Sequence, residues 1–206
     1  DESVRLWDNT TAKYSNFQTR DEQFRKGKKN AMQYTSSCEL YIFKAAQDKN
    51  TGIAIAMYPG GSYRNLNLGI TFAKWYASQG ITVAIVKYRL PNGGHNKATL
   101  EDAEGAVRYL RTRTDLGIDP AKVGVLGGSA GGHLAAYVST FTPDAEKPAF
   151  AILIYPVITG DSWLGHISSY NYLLGKERTP EEVELYSLHN RVTATTPPTL
   201  LMLSDD

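Results

Sequence analysis

The sequence is poor in cysteine, in net charge and in long apolar runs. Its 206 residues include one cysteine, Cys38, so no disulfide can form within the chain. Cys38 lies in a strand-like run at residues 36–45, which predicts a buried structural thiol rather than a nucleophile. No apolar run approaches the roughly 20 residues of a membrane-spanning helix, and we expect no membrane partner.

Charge and metal-ligating residues exclude two further classes of function. The formal net charge is +1, and the one dense basic run, KGKK at residues 26–29, is typical of a solvated loop. We therefore expect no nucleic-acid partner. His, Cys and Asp residues form no cluster with metal-ligand spacing, so the sequence predicts neither a metal site nor a cofactor.

The length fits one domain, and we expect residues 1–206 to form it. The first 30 residues are polar and turn-rich, which predicts a segment that wraps the surface. The chain begins with Asp1 rather than Met, so we expect that something upstream was removed. Export after signal-peptide removal and a cytoplasmic location both stay open, as does the oligomeric state.

Short apolar runs rich in β-branched residues alternate with helical patterns. The runs are typical of buried parallel strands, and they lie at residues 53–57, 81–86, 122–126, 150–155 and 199–203. Apolar residues recur at steps of three and four over residues 98–113 and again after Ser129. This alternation predicts an α/β fold with a mostly parallel sheet and helices on both faces.

Residues 160–191 interrupt this rhythm. They include four large aromatic residues and a predicted short helix at residues 180–188. Such an insertion either covers a pocket above the strand ends or packs on its own side chains, and the sequence leaves both interpretations open.

The sequence Gly-Gly-Ser-Ala-Gly at residues 127–131 matches G-x-S-x-G, the nucleophile elbow, between a predicted strand and a predicted helix. A sharp turn there would lift the Ser129 Oγ above the sheet, and the flanking glycines remove Cβ atoms that would clash. A phosphate loop would end in Gly-Lys-Ser/Thr, and a dinucleotide fingerprint would have glycine in place of Ser129. The pattern therefore predicts Ser129 as a nucleophile.

The predicted strand at residues 53–57 runs into YPGGSY at residues 58–63. A serine hydrolase needs backbone N–H groups aimed at the tetrahedral oxyanion. A Gly-Gly turn at a strand end lets the backbone approach the substrate closely, and the N–H of Ala130 would supply another donor. Taken alone this is a plain glycine turn; beside the elbow, an oxyanion turn is favoured.

These motifs resemble the acetyl-esterase and lipase-like branch of the α/β hydrolases, which includes many acetyl xylan esterases. The resemblance covers about residues 40–206 and extends to KYRL (87–90), DAEGAVRYLR (102–111), IDPAKVGVLGGSAGGH (118–133), LLG (173–175) and TPPTLLMLSDD (196–206). It implies the α/β-hydrolase fold, with Ser129 as nucleophile and Gly61, Ser62 and Ala130 lining the oxyanion hole.

Several residues at family positions are interpreted by that resemblance. Ser62 stands where the family has a third glycine. Its backbone N–H can still donate, and we expect its side chain to narrow the acyl pocket. The resemblance assigns structural roles to four further matches, which are Asp102, Arg108, Asp119 and His133.

In this fold the triad residues follow the order Ser, acid, His. The acid should lie just beyond the strand at residues 199–203, as Asp206 or the next residue, and we predict Asp206. The base should follow about thirty residues later, whereas all four histidines (His95, His133, His166 and His189) precede the acid. We therefore expect the last strand, last helix and base beyond Asp206, and little activity from residues 1–206 alone.

The resulting prediction is a serine hydrolase that cleaves small carboxylic esters through an acyl-enzyme. The family resemblance suggests acetyl groups on carbohydrates, so the expected partner is a small-molecule or carbohydrate ester. Two alternatives stay open: a peptidase of the same fold, and an inactive sugar-binding relative.

Overall fold

A seven-stranded sheet forms the centre of the computed structural model, which describes residues 1–204. Across the sheet the strands are β1 (Glu2–Asp8), β4 (Ser37–Phe43), β7 (Thr82–Lys87), β5 (Ala54–Tyr58), β8 (Val123–Gly128), β9 (Ala151–Ile154) and β10 (Thr199–Met202). In this order, the pairs β1–β4 and β4–β7 are antiparallel. The remaining pairs, from β7–β5 to β9–β10, are parallel. The predicted α/β class with a mostly parallel sheet is confirmed.

Three short strands form a separate small sheet beside the main one. They are β2 (Gln23–Phe24), β3 (Ala31–Gln33) and β6 (Leu66–Asn67), paired in the order β2–β3–β6. Strand β6 follows the YPGGSY segment, and Asn67 also bridges to Gly60. The small sheet therefore anchors the far end of this segment.

Within residues 1–204, five α-helices connect or cover the strands: α1 (Ile70–Ser78), α2 (Asn96–Thr112), α3 (Ala130–Phe141), α4 (Ile167–Leu174) and α5 (Pro180–Leu185). The connection through α1 runs from β5 to β7, while that through α2 runs from β7 past β5 to β8. These two crossovers move in opposite directions across the sheet. Because such crossovers are right-handed, α1 covers one face and α2, which packs on α3, covers the other.

The central strands are apolar throughout because both of their faces are covered. Every residue of β5 and β7 is buried, which explains why the sequence showed continuous apolar runs rather than alternation. Cys38 lies in β4 with 0% of its surface exposed, and burial raises the pKa of its thiol well above the usual value. The prediction of a buried structural cysteine is confirmed.

Residues 1–30 include an edge strand that the sequence interpretation did not predict, since residues 2–8 form β1. A register shift between Arg5 and Trp7 interrupts the pairing of β1 with β4. Trp7 reaches α2, where a Cβ at Gly105 would overlap its ring. The sequence did not reveal this strand because its apolar residues are few and its alternation is broken by the irregularity.

Two helices were also missing from the sequence interpretation, and one ended early. Helix α1 exposes Phe72 and Trp75, so its apolar residues do not form a clean stripe. Helix α4 lies inside residues 160–191, and its N-cap is His166. The helix predicted at residues 180–188 ends at Leu185, and a 3₁₀ turn follows at Leu188–Arg191.

A buried ion pair joins the end of β7 to α2 and to the N-terminal segment. The guanidinium of Arg89 donates to Asp102 at 2.8 Å and to Glu101 at 3.1 Å, and the Arg89 backbone N–H donates to Asp102 at 2.7 Å. The Trp7 indole donates to the same Asp102 carboxylate, and Arg89 also donates to the carbonyl of Tyr14. Both side chains of the pair are fully buried. The structural role predicted for Asp102 is confirmed.

The charge on Asp102 depends on its partner. Burial raises the pKa of the Asp102 carboxyl, and the hydrogen bonds from Arg89 oppose that effect. Removing Arg89 would leave the buried Asp102 charge without a cation, and removing Asp102 would leave the buried Arg89 charge with Glu101 as its remaining carboxylate partner. Either loss is far more costly than breaking a surface pair.

We therefore predict that Asp102→Ala lowers the free energy of unfolding by about 3–5 kcal/mol. Arg5→Ala, which breaks an ion pair whose arginine side chain is 61% exposed, should cost under about 1 kcal/mol. Urea denaturation of both variants measures the difference. Equal losses in the two variants would contradict a dominant role for the buried pair.

Within residues 1–204, no helix is both long and apolar enough to cross a lipid bilayer. Nor do the described residues bring together three His, Cys, Asp or Glu side chains that could hold a metal ion.

Candidate active site

Ser129 lies at the junction of β8 and α3 in a strained backbone conformation, with φ 54° and ψ −123°. Its N–H donates to the carbonyl of Ile154 at 3.0 Å. Its carbonyl accepts from the backbone N–H groups of His133 and Val157, both at 3.1 Å. A non-glycine residue at positive φ costs free energy, and these three hydrogen bonds hold it there. The strand–turn–helix context predicted for the G-x-S-x-G motif is therefore present.

Two glycines of the motif permit this turn because other backbone segments pass against them. A Cβ on Gly127 would overlap the carbonyl of Gly131, and a Cβ on Gly131 would overlap the carbonyl of Tyr58. A side chain at either position would push apart β5, β8 and α3.

The segment from Gly60 to Tyr63, here called the glycine turn, passes directly beside Ser129. A Cβ on Gly60 would lie 2.6 Å from the carbonyl oxygen of Gly128 and 3.4 Å from the Ser129 Cβ. Gly61, Ser62 and Tyr63 all have positive φ, at 136°, 56° and 57°. This tight turn places its backbone close to Ser129, where a bound substrate would contact both.

The glycine turn and the start of α3 both carry N–H groups without a hydrogen-bond acceptor in the described residues. Within the described residues, the N–H groups of Gly61 and Ser62 donate no hydrogen bond, whereas the Gly61 carbonyl accepts from Arg64 and Asn65. Ala130 begins α3, and the first N–H groups of a helix have no partner within it. The three N–H groups of the predicted oxyanion hole therefore belong to elements that meet at Ser129.

A cavity of 270 Å³ opens beside Ser129. Its remaining walls come from Tyr155, Pro156, Val157, Ile158, Thr159, Leu164, Gly165 and His166. Three of these residues belong to the insertion at residues 160–191, so part of the insertion lines the cavity. Other insertion residues, such as Tyr170 and Tyr186, pack inward against α3.

A buried hydrogen-bonded chain connects the glycine turn to α3 and to the insertion. The Tyr63 hydroxyl donates to His133 Nδ1 at 2.8 Å, and His133 Nε2 donates to the carbonyl of Tyr186 at 2.9 Å. The Tyr170 hydroxyl donates to the same carbonyl at 2.7 Å. Tyr63 and His133 are 1% and 0% exposed. His133 is thus structural, as predicted, whereas the role of Tyr63 was missed because its partner is 70 residues away.

The protonation state of His133 follows from this environment. Burial lowers the pKa of His133 to about 4, and its hydrogen bond to the Tyr186 carbonyl only partly opposes the effect. With Nε2 donating and Nδ1 accepting, the neutral ring satisfies both of its partners. Neither ring nitrogen is available to take a proton from Ser129.

The remaining histidines, none of which has the sequence position expected of the base, lie in different places. His166 lines the cavity and caps α4 by accepting from the N–H of Ser169 at 3.3 Å. The His95 ring lies against Phe17, with centroids 4.9 Å apart. His189 is exposed in the 3₁₀ turn that follows α5.

Two other predicted structural residues lie away from Ser129. Arg108 forms exposed ion pairs with Glu104, which also lies on α2, and with Glu146, which lies outside that helix. Asp119 accepts from the N–H of Ala121 at 3.0 Å and caps a 3₁₀ turn.

The predicted acid, Asp206, lies outside the described residues. The strand that precedes it, β10, runs parallel to β9 and ends at Met202, whose carbonyl accepts from the N–H of Tyr155 at 2.7 Å. Since parallel strands end at the same edge of a sheet, β10 leads toward the edge where Ser129 lies.

Known proteins with the same architecture match this chain. A family model described as alpha/beta hydrolase fold matches residues 64–202, which is more than half of the sequence. The chain belongs to the alpha/beta hydrolase fold family. In this α/β hydrolase, residues 127–131 and the glycine turn both lie where the sequence motifs predicted them.

Two solved structures extend the comparison. The acetyl ester–xyloside bifunctional hydrolase from Caldicellulosiruptor lactoaceticus is 30% identical, with a TM-score of 0.75 over 97% of this chain and 73% of that protein. An esterase from Thermogutta terrifontis is 26% identical, with a TM-score of 0.62 over 80% of this chain and 66% of that one.

A curated relative is similar over a shorter part of its own length. The acetylxylan esterase of Xylanibacter ruminicola is 37% identical over 163 residues, which are 76% of this chain and 34% of the relative. This α/β hydrolase chain thus spans about a third of that protein.

The lowered pKa of His133 predicts a pH-dependent stability. An unfolded histidine has a pKa near 6.5. Between about pH 6.5 and 4, the unfolded chain therefore binds a proton that the folded protein does not bind. Stability is lost as the pH falls through this range. Between pH 7 and pH 5, His133 should lower the free energy of unfolding by about 2 kcal/mol. We expect His133→Gln to abolish this part of the pH dependence. Urea denaturation at both pH values measures it.

His189→Gln is the matched control, because His189 is exposed. It should leave the pH dependence as in the unsubstituted protein. If His133→Gln also kept the full pH dependence, the buried neutral state of His133 would be wrong.

Proposed function

We propose that the protein is a serine esterase that removes small acyl groups, acetyl in particular, from carbohydrate esters. The observation that carries this proposal is the placement of Ser129 at positive φ between β8 and α3, against a glycine turn that also has positive φ. Strain of this kind has no packing benefit and is typical of functional sites. It favours catalysis over the alternative of an inactive binding protein.

In the proposed mechanism, the Ser129 Oγ attacks the ester carbonyl carbon and a histidine base takes the hydroxyl proton. The carbonyl oxygen becomes an oxyanion that accepts hydrogen bonds from the N–H groups of Gly61, Ser62 and Ala130. The base then protonates the leaving alcohol, and water hydrolyses the acyl-enzyme. We assign the acid that orients the base to Asp206 or its neighbour. His133 is not the base, since both of its ring nitrogens are engaged.

The choice of substrate rests on the relatives. One is named an acetylxylan esterase, and a solved structure is titled an acetyl ester–xyloside hydrolase. Their names support an acetylated carbohydrate as the substrate class. Ser62 supports a small acyl group, because its side chain occupies a turn where the family resemblance implies a third glycine.

The nucleophile is tested with Ser129→Ala in the full native protein that contains this chain. We expect the substitution to abolish labelling by a fluorophosphonate probe and to lower hydrolysis of p-nitrophenyl acetate by about 10³-fold or more, because the oxyanion donors alone supply only residual catalysis. Ser139→Ala should retain both, since the Ser139 hydroxyl bonds to the Ala135 carbonyl within α3. Probe labelling at Ser62 or Ser139 would overturn the assignment.

Acyl-chain selectivity tests the role of Ser62. We predict that p-nitrophenyl acetate is hydrolysed much faster than the octanoate and that Ser62→Gly raises the octanoate-to-acetate ratio of kcat/KM. Glycine removes the side chain and also accepts the positive φ without strain. A preference for octanoate in the unsubstituted protein would contradict the small-acyl proposal and favour a lipase.

A further inference from the structure

A second cavity lies beside the end of the glycine turn. It has a volume of 290 Å³, and Tyr63 and Arg64, at the end of the turn, form part of its wall. The other lining residues come from residues 18–34, from the loop after β7 and from α4, and they include Arg20, Tyr34 and Tyr172. The glycine turn therefore runs from Gly60, which lies against Ser129, to Tyr63 in the wall of the second cavity.

Backbone strain is concentrated around these two cavities. Seven non-glycine residues have positive φ in residues 1–204: Phe17, Tyr34, Ser62, Tyr63, Asn92, Ser129 and Tyr155. Tyr34, Tyr63 and Asn92 line the second cavity, Ser129 and Tyr155 line the first, and Ser62 lies in the turn between them. Since such strain gathers at functional sites, the second cavity shares a property with the reacting site.

Buried hydrogen bonds hold the walls of the second cavity in place. The Asn16 side chain, fully buried, donates to the carbonyls of Thr35 and Leu90, both at 2.8 Å. The side chain of Asn92 donates to the Asn16 carbonyl at 3.1 Å. In the same loop, the N–H of Gly93 donates to the carbonyl of Tyr172 at 3.0 Å. The cavity is thus formed by the fold itself.

The side chains of the second cavity carry positive charge without a counter-charge. Two of its lining residues are arginines, Arg20 and Arg64, and none of those described is Asp or Glu. Arg20 donates to the Tyr34 hydroxyl at 3.0 Å and lies 5.0 Å from the centre of its ring. Neither arginine has a carboxylate within 4 Å among the described residues, whereas Arg5, Arg89 and Arg113 each have at least one.

We propose that the second cavity binds the sugar portion of the ester and selects a glycan that carries a carboxylate, that is, a uronic acid. Tyrosine faces stack on sugar rings, and the carboxamides of Gln18, Gln33 and Asn92 suit hydroxyl groups. Guanidinium groups bind carboxylates through paired, charge-assisted hydrogen bonds. This inference rests on the proposed esterase function, because it assigns the cavity to the leaving alcohol.

The test measures binding of unacetylated oligosaccharides, so that it does not depend on Ser129 chemistry. A xylo-oligosaccharide that carries one glucuronic acid and an unsubstituted one of equal length are titrated into the full native protein by calorimetry. We expect the acidic oligosaccharide to bind at least about tenfold more tightly. That preference should weaken as salt is raised from about 50 to 500 mM, since exposed charges are screened.

Substitutions locate the effect. Arg64→Gln and Arg20→Gln should each weaken binding of the acidic oligosaccharide by about tenfold, and thermal unfolding checks that the variants are folded. Arg25→Gln is the matched control: Arg25 is also exposed and has no carboxylate within 4 Å in residues 1–204, but it does not line the cavity. It should bind like the unsubstituted protein.

Equal affinity for the acidic and neutral oligosaccharides, or an equal loss from Arg25→Gln, would overturn the proposal. Its failure is distinguishable from failure of the esterase function. Hydrolysis of p-nitrophenyl acetate with no preference for the acidic glycan would reject the subsite alone. Absence of hydrolysis and of Ser129 labelling would reject the esterase.

Discussion

The arrangement of this protein depends on how closely three backbone segments approach one another around Ser129. Strand β5, the end of β8 and the start of α3 meet where Gly127 and Gly131 leave no room for a Cβ atom. This contact places the glycine turn, which continues from β5, directly beside the serine. The close approach is a steric condition rather than an attractive force, so other interactions must hold the segments together.

Two buried polar networks join further segments of the fold, and their members come from distant parts of the sequence. The His133 network joins the glycine turn, α3 and the insertion through neutral hydrogen bonds. The Arg89–Asp102 pair joins β7, α2 and the N-terminal segment through charge. Buried polar groups are costly unless they are satisfied. Each network therefore favours one arrangement of the segments that it connects and penalises alternatives.

The glycine turn connects the surroundings of Ser129 to the second cavity. Gly60 lies against Ser129, which lines the first cavity, whereas Tyr63 and Arg64 line the second cavity. In the proposed function, the acyl group would occupy the first cavity and the alcohol the second. A rigid turn would then position the scissile bond, because both parts of the substrate would be held relative to the same N–H groups.

The sequence by itself determined the α/β class, the parallel strands and the elbow at Ser129, since these depend on local features. Continuous apolar runs indicate strands that are covered on both faces, and glycines around a serine indicate a turn that only small residues allow. The same reasoning located the turn at Gly61 and Ser62, because a Gly-Gly pair at a strand end is visible without the fold.

Only the tertiary structure decided which distant residues meet. Edge strand β1 pairs with β4 across 29 to 40 residues, and Tyr63 contacts His133 across 70. The second cavity likewise assembles from four separate segments, so nothing in the local sequence around Arg20 or Arg64 marks it. Local patterns indicate whether a residue faces the core or the solvent, whereas its contact partners depend on the tertiary fold. The tertiary fold is a property of the whole packed core.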